Sequence, residues 1–217
     1  MKVRTFTGGG FGENAYLAIC ETSGACVAVD PGSGAPQLVA AVEAEGLTLE
    51  AILLTHAHLD HIEGVHIVRA FGPDLPIWLH PADLGLYQGV QRQAAMFGLS
   101  VEPQPEPTHE IVPGESIAFG DSSVDVRFTP GHAPGHVVFV SPDDGFTLAG
   151  DVVFQGSIGR TDLPGGDYRT LMKSIRDEIL TLPDSMVLYP GHGPATTVGF
   201  ERVGNPFLAP NYGGELA

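Results

Sequence analysis

One short run constrains this chain more than any other feature. Residues 55–61 are Thr-His-Ala-His-Leu-Asp-His, which places three imidazoles and a carboxylate within six positions. These groups are ligands for Zn²⁺, Fe²⁺ and Mn²⁺, and packing alone rarely explains three histidines so close together. The apolar residues 51–54 predict a buried strand before the run, and residues 60–71 predict a helix after it. We therefore expect the ligands on a strand-to-helix loop, where a rigid scaffold fixes their geometry.

Three further ligand candidates follow in segments rich in turn residues. His132 and Asp151 each follow a glycine, and His192 lies within Pro-Gly-His-Gly. The complete set of seven candidates is His56, His58, Asp60, His61, His132, Asp151 and His192. Seven ligands are enough for two half-sites, in which two metals about 3.5–4 Å apart share and activate a water. The sequence thus predicts a two-metal hydrolase.

No side-chain nucleophile is needed for such chemistry, and the sequence offers none. There is no Gly-x-Ser-x-Gly motif, and Cys20 and Cys26 lie far from every ligand motif. The two cysteines flank the turn of a predicted hairpin, so a cross-strand disulfide is one interpretation. Buried, reduced thiols are the interpretation that we favour, because we expect the chain in the cytoplasm.

Strands and helices alternate along both halves of the chain. Strands are predicted at residues 3–6, 14–19, 26–29, 51–55, 77–79, 115–119, 124–129, 137–141, 146–149 and 186–189. Helices are predicted at residues 36–45, 60–71, 81–97 and 168–180. This order suits an α/β fold in which two sheets pack together with helices outside. Because the second half supplies ligands that the first half needs, we expect a single domain over residues 1–217.

Charge and hydropathy exclude several classes of partner. The net charge of −16 argues against nucleic acid or an anionic membrane surface, since phosphate binding depends on Lys and Arg. No run approaches the roughly 18 apolar residues that a membrane span requires. The first residues lack the apolar core of a signal peptide, so we expect a cytoplasmic protein. A small molecule is the expected partner.

The ordered ligand motifs resemble those of the metallo-β-lactamase fold superfamily. The resemblance covers nearly the whole chain and implies an αββα sandwich of two mixed sheets packed face to face, with helices outside. It implies a first metal bound by His56, His58 and His132, and a second bound by Asp60, His61 and His192. Asp151 would bridge the two metals, and Asp60 would also accept a proton from the nucleophile. Zinc is the expected metal, with iron or manganese as alternatives.

Three further segments resemble the short, single-domain glyoxalase II type. They are Gly156–Asp162, Ala95–Leu99 and the residues from Glu201 to Phe207. The resemblance implies hydrolysis of S-D-lactoylglutathione or related acyl thioesters by metal-bound hydroxide. Long forms of glyoxalase II have a C-terminal glutathione-binding region, for which about 25 residues after His192 leave no room. Arg160 and Tyr168 are candidates for binding a substrate carboxylate instead, although Arg160 could equally pair with Asp162.

Three questions stay open at this level. An iron-dependent glutathione persulfide dioxygenase has the same fold and a similar Gly-Arg-Thr-Asp segment, and it would use His56, His132 and Asp151 alone. Asp30, at the end of a predicted strand, is either an acceptor that orients a ligand histidine or an ordinary turn residue. His136 is either a hydrogen-bonded histidine at the start of a strand or part of the same outer layer.

Overall fold

Two six-stranded sheets form the centre of the structure, a computed structural model that describes residues 1–209. The strands are β1 Lys2–Gly8, β2 Glu13–Ile19, β3 Ala25–Val29, β4 Thr48–Leu53, β5 Ile77–Leu79, β6 His109–Glu110, β7 Ser116–Phe119, β8 Ser122–Phe128, β9 Val137–Ser141, β10 Phe146–Gly150, β11 Val153–Phe154, β12 Ser157–Ile158, β13 Val187–Pro190 and β14 Thr196–Thr197. The helices are α1 Ala35–Glu45, α2 Leu59–Ile62, α3 Val65–Phe71, α4 Leu84–Gln88, α5 Val90–Met96, α6 Tyr168–Ser174 and α7 Val198–Gly204.

Both large sheets mix parallel and antiparallel pairs. The first has the order β1-β2-β3-β4-β5-β6, antiparallel as far as β3 and parallel from β3 onward. The second has the order β14-β13-β10-β9-β8-β7, in which only β10 and β13 are parallel. Strands β11 and β12 form a separate small hairpin. The prediction of two mixed sheets is confirmed.

Three apolar layers show how the sheets and helices stack. One layer lies between the sheets and includes Val27 and Phe139. The second layer packs Cys26 and other residues of the first sheet against α1, α3 and α5. The third layer joins the second sheet to α6 and α7. Neighbouring residues of β3 point to opposite faces of the sheet, so Cys26 and Val27 fall in different layers and all five residues are buried. The predicted αββα sandwich is confirmed.

Three predicted helices are interrupted. Residues 60–71 form α2 and α3 because Gly64 lies against the loop after β3: a Cβ at Gly64 would be 2.2 Å from the Gly32 carbonyl oxygen. Residues 81–97 form a 3₁₀ turn followed by α4 and α5, which divide at Gly89. Residues 168–180 form α6 and then a π-helical turn at Ile175–Ile179. Periodicity locates these helical segments but does not reveal their breaks.

The helices of the described residues are short. The longest, α1, has 11 residues and ends at Gly46 in the left-handed region with φ 63°. Within residues 1–209, no helix has the combined length and apolar character needed to cross a membrane. The single domain over residues 1–217 stays a prediction, and its last residues, 210–217, lie outside the described part.

Candidate metal centre

All seven ligand candidates converge on loops at one edge of the sandwich. The first ligand loop, defined here as residues 55–61, follows β4 of the first sheet and continues into α2. His132 lies after β8, Asp151 directly after β10 and His192 after β13, all in the second sheet. The neighbouring strands β10 and β13 run parallel, so their carboxyl ends meet at the same edge. The site thus needs loops from both sheets.

Three buried histidines form the first cluster. The ligand nitrogens of His56, His58 and His132 all lie within 4.8 Å of one another. His132 Nε2 is 3.3 Å from His56 Nε2 and 2.8 Å from His58 Nδ1. Two nitrogens bound at about 2.05 Å to one tetrahedral ion are about 3.3 Å apart, so the first separation matches a shared metal.

A second cluster lies beside the first, with a carboxylate between them. Ligand atoms of Asp60, His61 and His192 also lie within 4.8 Å of one another, and His192 Nε2 is 3.1 Å from Asp60 Oδ2. Asp151 Oδ1 is 3.4 Å from His61 Nε2, while its Oδ2 is 3.4 Å from His132 Nε2 and 3.6 Å from His192 Nε2. Asp151 Oδ1 therefore faces the second cluster, and its Oδ2 faces both clusters. The histidine and aspartate groups fit a binuclear metal site.

Fixed carbonyl groups orient two of the ligand rings. His132 Nδ1 donates to the Arg160 carbonyl oxygen at 2.8 Å, and His192 Nδ1 donates to the Phe11 carbonyl oxygen at 3.2 Å. A carbonyl oxygen can only accept, so each Nδ1 must bear the hydrogen. Each Nε2 then presents its lone pair to the centre, as a metal ligand requires.

Asp30 contacts the His61 ring directly and the His56 ring through Thr55. Its Oδ2 accepts from His61 Nδ1 at 3.0 Å and from the Thr55 hydroxyl at 2.5 Å, while Oδ1 accepts from the Thr55 backbone N–H at 2.7 Å. The Thr55 hydroxyl oxygen in turn lies 3.0 Å from His56 Nδ1. Asp30, His56 and His61 also lie close enough together to form a third possible group of metal ligands. The oxygens of Asp30, however, already accept hydrogen bonds from Thr55 and His61. These contacts place Asp30 where an acceptor that orients His61 would lie, the first of the two roles considered for it.

The backbone at Asp30 is unusual. Its φ of 48° lies in the left-handed region, where it is the one non-glycine among residues 1–209. Aspartate and asparagine tolerate this conformation better than most residues. The conformation places the carboxylate beneath the first ligand loop, since Asp30 N donates to the Leu53 carbonyl at 3.1 Å while the side chain contacts Thr55.

The electrostatics of the centre favour neutral imidazoles at His56 and His58, a protonated His61 and an anionic Asp151. Burial lowers the pKa of His58 to about 3, and burial together with the neighbouring His61 lowers the pKa of His56 well below its ordinary value. Burial also disfavours charge on His61, but Asp151 and Asp60 outweigh it and raise the pKa of His61. For Asp151, burial opposes ionisation, yet His61 outweighs it and lowers the pKa. A positive charge on His61 is therefore stabilised by the neighbouring carboxylates of Asp151 and Asp60.

Unpartnered polar atoms test whether the centre suits metal ions. His61 Nε2 and Asp151 Oδ1 are buried, and neither makes a hydrogen bond within the described part of the chain. Buried polar atoms without partners are costly, by about 1–3 kcal/mol each. A divalent cation between the clusters would satisfy both atoms. Gly191 leaves the space free, because a Cβ there would lie 2.2 Å from Asp151 Oδ1 and 2.5 Å from His61 Cε1.

Sequence reasoning missed the residues that position the last ligand. Asn14 Nδ2 donates to the carbonyl oxygens of Pro190 at 3.0 Å and Gly193 at 2.8 Å, on either side of His192. The Tyr16 hydroxyl also donates to the Pro190 carbonyl, at 2.6 Å. A signal was present: Asn14 and Tyr16 place polar groups at alternate positions of a fully buried strand that begins with Glu13. These contacts join β2 of the first sheet to the ligand loop after β13.

A buried carboxylate connecting two ligand loops was also missed. Asp83 is fully buried, and it accepts from the backbone N–H groups of Ala57 at 3.0 Å and Gly135 at 2.5 Å. Gln93 adds to this support, because its Nε2 donates to the Ala57 carbonyl at 3.0 Å and its Oε1 accepts from Leu59 N at 3.1 Å. Neither side chain lies near a ligand in sequence, so spacing could not reveal these contacts.

His136 holds the backbone of Asp151 in place. Its Nε2 accepts from the Asp151 N–H at 3.0 Å, and its Nδ1 lies 2.8 Å from the Thr129 hydroxyl oxygen. Burial lowers the pKa of His136 well below its ordinary value, which keeps the ring a neutral acceptor. Both sequence interpretations of His136 thus apply. The remaining histidines, His66, His80 and His109, belong to none of the ligand groups within the described residues.

The centre opens into a cavity of about 330 Å³, which is called here the main cavity. Asp60, Asp151 and His192 line it together with apolar residues that include Phe97 and Leu163. Arg160 also lines it, but its Nε and Nη2 donate to the two carboxylate oxygens of Asp162 at 2.7 and 2.8 Å. The structure thus shows the alternative role considered for Arg160.

Tyr168, the other substrate-binding candidate, lies elsewhere. It is the first residue of α6, is 40% exposed and does not line the main cavity. The structure therefore does not bring Tyr168 to the metal centre.

Comparisons with known proteins identify the family and the fold. Residues 8–192 match the family model described as the metallo-beta-lactamase superfamily. Hydroxyacylglutathione hydrolase GloC of Haemophilus influenzae is 37% identical over 201 residues, covering 91% of this chain and 93% of GloC. The crystal structure of TTHA1623 in a di-iron-bound form is 41% identical with a TM-score of 0.86, covering 94% of this chain and 100% of that one. The BLEG-1 B3 metallo-beta-lactamase is 36% identical with a TM-score of 0.89, covering 96% and 100% respectively.

Proposed function

The chain belongs to the metallo-β-lactamase superfamily, and from this premise we propose that it is a glyoxalase II-like thioester hydrolase acting with two divalent metals. The observation that carries the proposal is the Asp151 carboxylate, which lies between two three-residue clusters and opens into the main cavity. The similarity to GloC supports the thioester as the bond that is cleaved. S-D-lactoylglutathione and related acyl thioesters are the proposed substrates.

The ligand groups divide between the metals as the clusters do. His56, His58 and His132 would bind the first metal, and Asp60, His61 and His192 the second. Asp151 would contact both. Bound divalent metals supply Lewis-acid polarisation of the thioester carbonyl and lower the pKa of a water toward neutrality. We propose zinc, with iron and manganese as alternatives, because histidine and carboxylate ligands discriminate weakly between these metals.

Asp60 is the residue that we propose to accept a proton from the attacking water. It lines the main cavity, and its Oδ2 lies 3.1 Å from His192 Nε2. Burial opposes its ionisation, but the neighbouring His61 outweighs burial and lowers the pKa of Asp60, so the group is an anionic acceptor near neutral pH. The net reaction adds water across the acyl–sulfur bond: the carbon–sulfur bond breaks, the acyl carbon gains an oxygen, and the thiol leaves with a proton.

The proposed substrate is a small molecule. The main cavity has the volume of a small-molecule site and mostly apolar walls. The net charge of −16 disfavours nucleic acid and anionic membrane partners, since it provides no long-range attraction for phosphate. A small thioester reaches the centre without needing such attraction.

The decisive experiment measures thiol release from metal-loaded protein. The panel contains S-D-lactoylglutathione, S-lactoyl-N-acetylcysteamine, glutathione persulfide and a β-lactam, each tested with zinc, iron or manganese. We expect cleavage of both thioesters, with metal-free protein as the control. Oxygen-dependent sulfite formation from the persulfide without thioester cleavage would replace the proposal with the dioxygenase alternative. Opening of the β-lactam alone would place the chain with lactamases such as BLEG-1.

A further inference from the structure

A second, smaller cavity joins the main cavity beside the metal centre. It has a volume of about 200 Å³, and four of its lining residues also line the main cavity: His58, Gln93, Phe97 and Leu163. His58 is one of the first-cluster ligands, so the second cavity begins at the site of reaction. A substrate whose reacting carbon lies at the centre can therefore extend into both cavities.

The walls of the second cavity are apolar. Leu86, Met96 and Pro164 line only this cavity, and Met96 is 64% exposed. The amide of Gln93 contributes no free polar group, because its Nε2 donates to the Ala57 and Leu86 carbonyls at 3.0 and 2.9 Å and its Oε1 accepts from Leu59 N. The walls suit a hydrocarbon chain or ring and offer little to a hydroxyl or an amide.

One cation lies in this apolar surface. Arg92 lines the second cavity and is exposed, and none of its contacts within residues 1–209 is an ion pair or a side-chain hydrogen bond. Arg160, the guanidinium of the main cavity, is instead bound at both nitrogens to Asp162. Among residues 1–209, Arg92 is thus a guanidinium that lines the second cavity without an acidic side chain paired to it. A guanidinium matches a carboxylate in shape and charge.

We propose that the second cavity binds the acyl half of the substrate and selects acyl groups that are apolar along their length and end in a carboxylate, which Arg92 binds. This inference rests on the proposed thioester hydrolysis and identifies the ω-carboxyacyl thioesters, rather than lactoyl thioesters, as the preferred class among its acyl thioester substrates. The larger main cavity, with Ser157 and Arg160 in its wall, is left for the bulkier thiol half. Chain length and the terminal carboxylate select together, because each buried methylene strengthens binding by up to about fourfold and the guanidinium matches the carboxylate.

Acyl thioesters of the uncharged thiol N-acetylcysteamine test the proposal. The acyl groups are lactoyl, butyryl, hexanoyl and adipoyl, the last two differing by a terminal carboxylate. We expect kcat/KM to rise from butyryl to hexanoyl, by up to about fourfold per methylene, and adipoyl to exceed hexanoyl. In Arg92→Met, the ratio of kcat/KM for adipoyl to that for hexanoyl should fall about two- to fivefold, the range for a partly exposed ion pair. It should fall further in Arg92→Glu.

Arg176→Met is the matched control, because Arg176 is exposed on the π-helical turn outside the other sheet and lines neither cavity. The same ratio should not change in this variant. Equal kcat/KM for hexanoyl and adipoyl in the parent, or an equal loss of the ratio in both arginine variants, would overturn the proposal. So would a dependence on Arg92 that follows the charge of the thiol half in a second thioester series.

Calorimetry with uncleavable thioethers separates this inference from the proposed function. S-(5-carboxypentyl)- and S-hexyl-N-acetylcysteamine are titrated into the metal-loaded parent and the Arg92→Met variant. Tighter binding of the carboxylate compound that depends on Arg92, with no thioester cleaved, would reject the hydrolase and retain the binding site. Cleavage of the thioesters together with equal binding of both thioethers would reject the binding site and retain the hydrolase.

Discussion

Asp30→Asn should weaken both metal half-sites without changing a single ligand. The backbone φ of 48° accepts asparagine, so the substitution changes chemistry more than shape. With the amide oxygen kept toward the Thr55 N–H, an NH₂ group replaces Oδ2. That group donates where His61 Nδ1 and the Thr55 hydroxyl now donate to an acceptor at 3.0 and 2.5 Å. The His61 proton then moves to Nε2, the nitrogen needed for metal, or the ring turns away.

The expected loss of metal affinity differs between the two half-sites, because Asp30 contacts one ligand ring directly and the other only through Thr55. Loss of a hydrogen-bond partner behind a metal ligand weakens metal binding by about 10–100-fold, or about 1.4–2.8 kcal/mol. Asp30 contacts His61 directly, so we expect the second half-site near the upper end of that range. It reaches His56 only through Thr55, at 3.0 Å from the hydroxyl oxygen to Nδ1, so we expect the first half-site near the lower end.

Competition with a chromogenic chelator measures both zinc-binding steps in the parent, Asp30→Asn and Thr55→Val. Thr55→Val removes only the branch to His56 and should weaken one step, whereas Thr55→Ser keeps the hydroxyl and should weaken neither. Circular dichroism of the metal-free proteins shows whether each variant folds. Retention of both zinc affinities within twofold in a folded Asp30→Asn protein would refute the reasoning.

Three further predictions concern other groups of the site. Asp151→Asn should reduce zinc content at both half-sites and abolish turnover, as measured by elemental analysis and thiol release. Arg160→Ala should change KM for charged and uncharged thioesters equally, because the guanidinium is already bound to Asp162; a selective rise for lactoylglutathione would contradict this. Burial raises the pKa of Asp83 to about 6. The contribution of this group to the free energy of unfolding therefore falls as the pH rises from about 4 to about 6, by up to roughly 2.7 kcal/mol. The stability advantage of the metal-free parent over Asp83→Asn should therefore shrink across that window, and an advantage that grows in urea unfolding would be contrary evidence.

The convergence of the seven candidate ligands was predictable because these residues follow local rules. Four candidates lie in one run, and glycine or proline precedes the other three, which places them in loops. The residues behind the ligands follow no such rule. Asp83 and Gln93 are 26 and 36 positions from Ala57, whose backbone they contact, so only the folded chain brings them together. The candidate ligands could therefore be recognised in the sequence, whereas the residues that hold their loops in place could not.

The same distinction applies to the fold. Strands and layers follow from apolar periodicity and were predicted closely, including the buried strand before the first ligand loop. The break between α2 and α3 depends on the close approach of Gly64 to the Pro31-Gly32 backbone, a tertiary contact. Two-residue strands such as β6 and β14 are fixed by a neighbouring strand and have no periodicity of their own.

Because loops from both sheets supply the candidate ligands, the stability of the folded chain should depend on the concentration of free metal. A metal pair bound by loops of both sheets would have to be released before the sheets could separate at this edge, so each bound ion would act as a reversible cross-link. The free energy of unfolding then rises with free metal by about 2.7 kcal/mol for a site at 100 times its dissociation constant. Under metal starvation this edge should open first, while the apolar layer between the sheets still holds them together. The lifetime of the folded chain would thus follow the concentration of the ions that it uses.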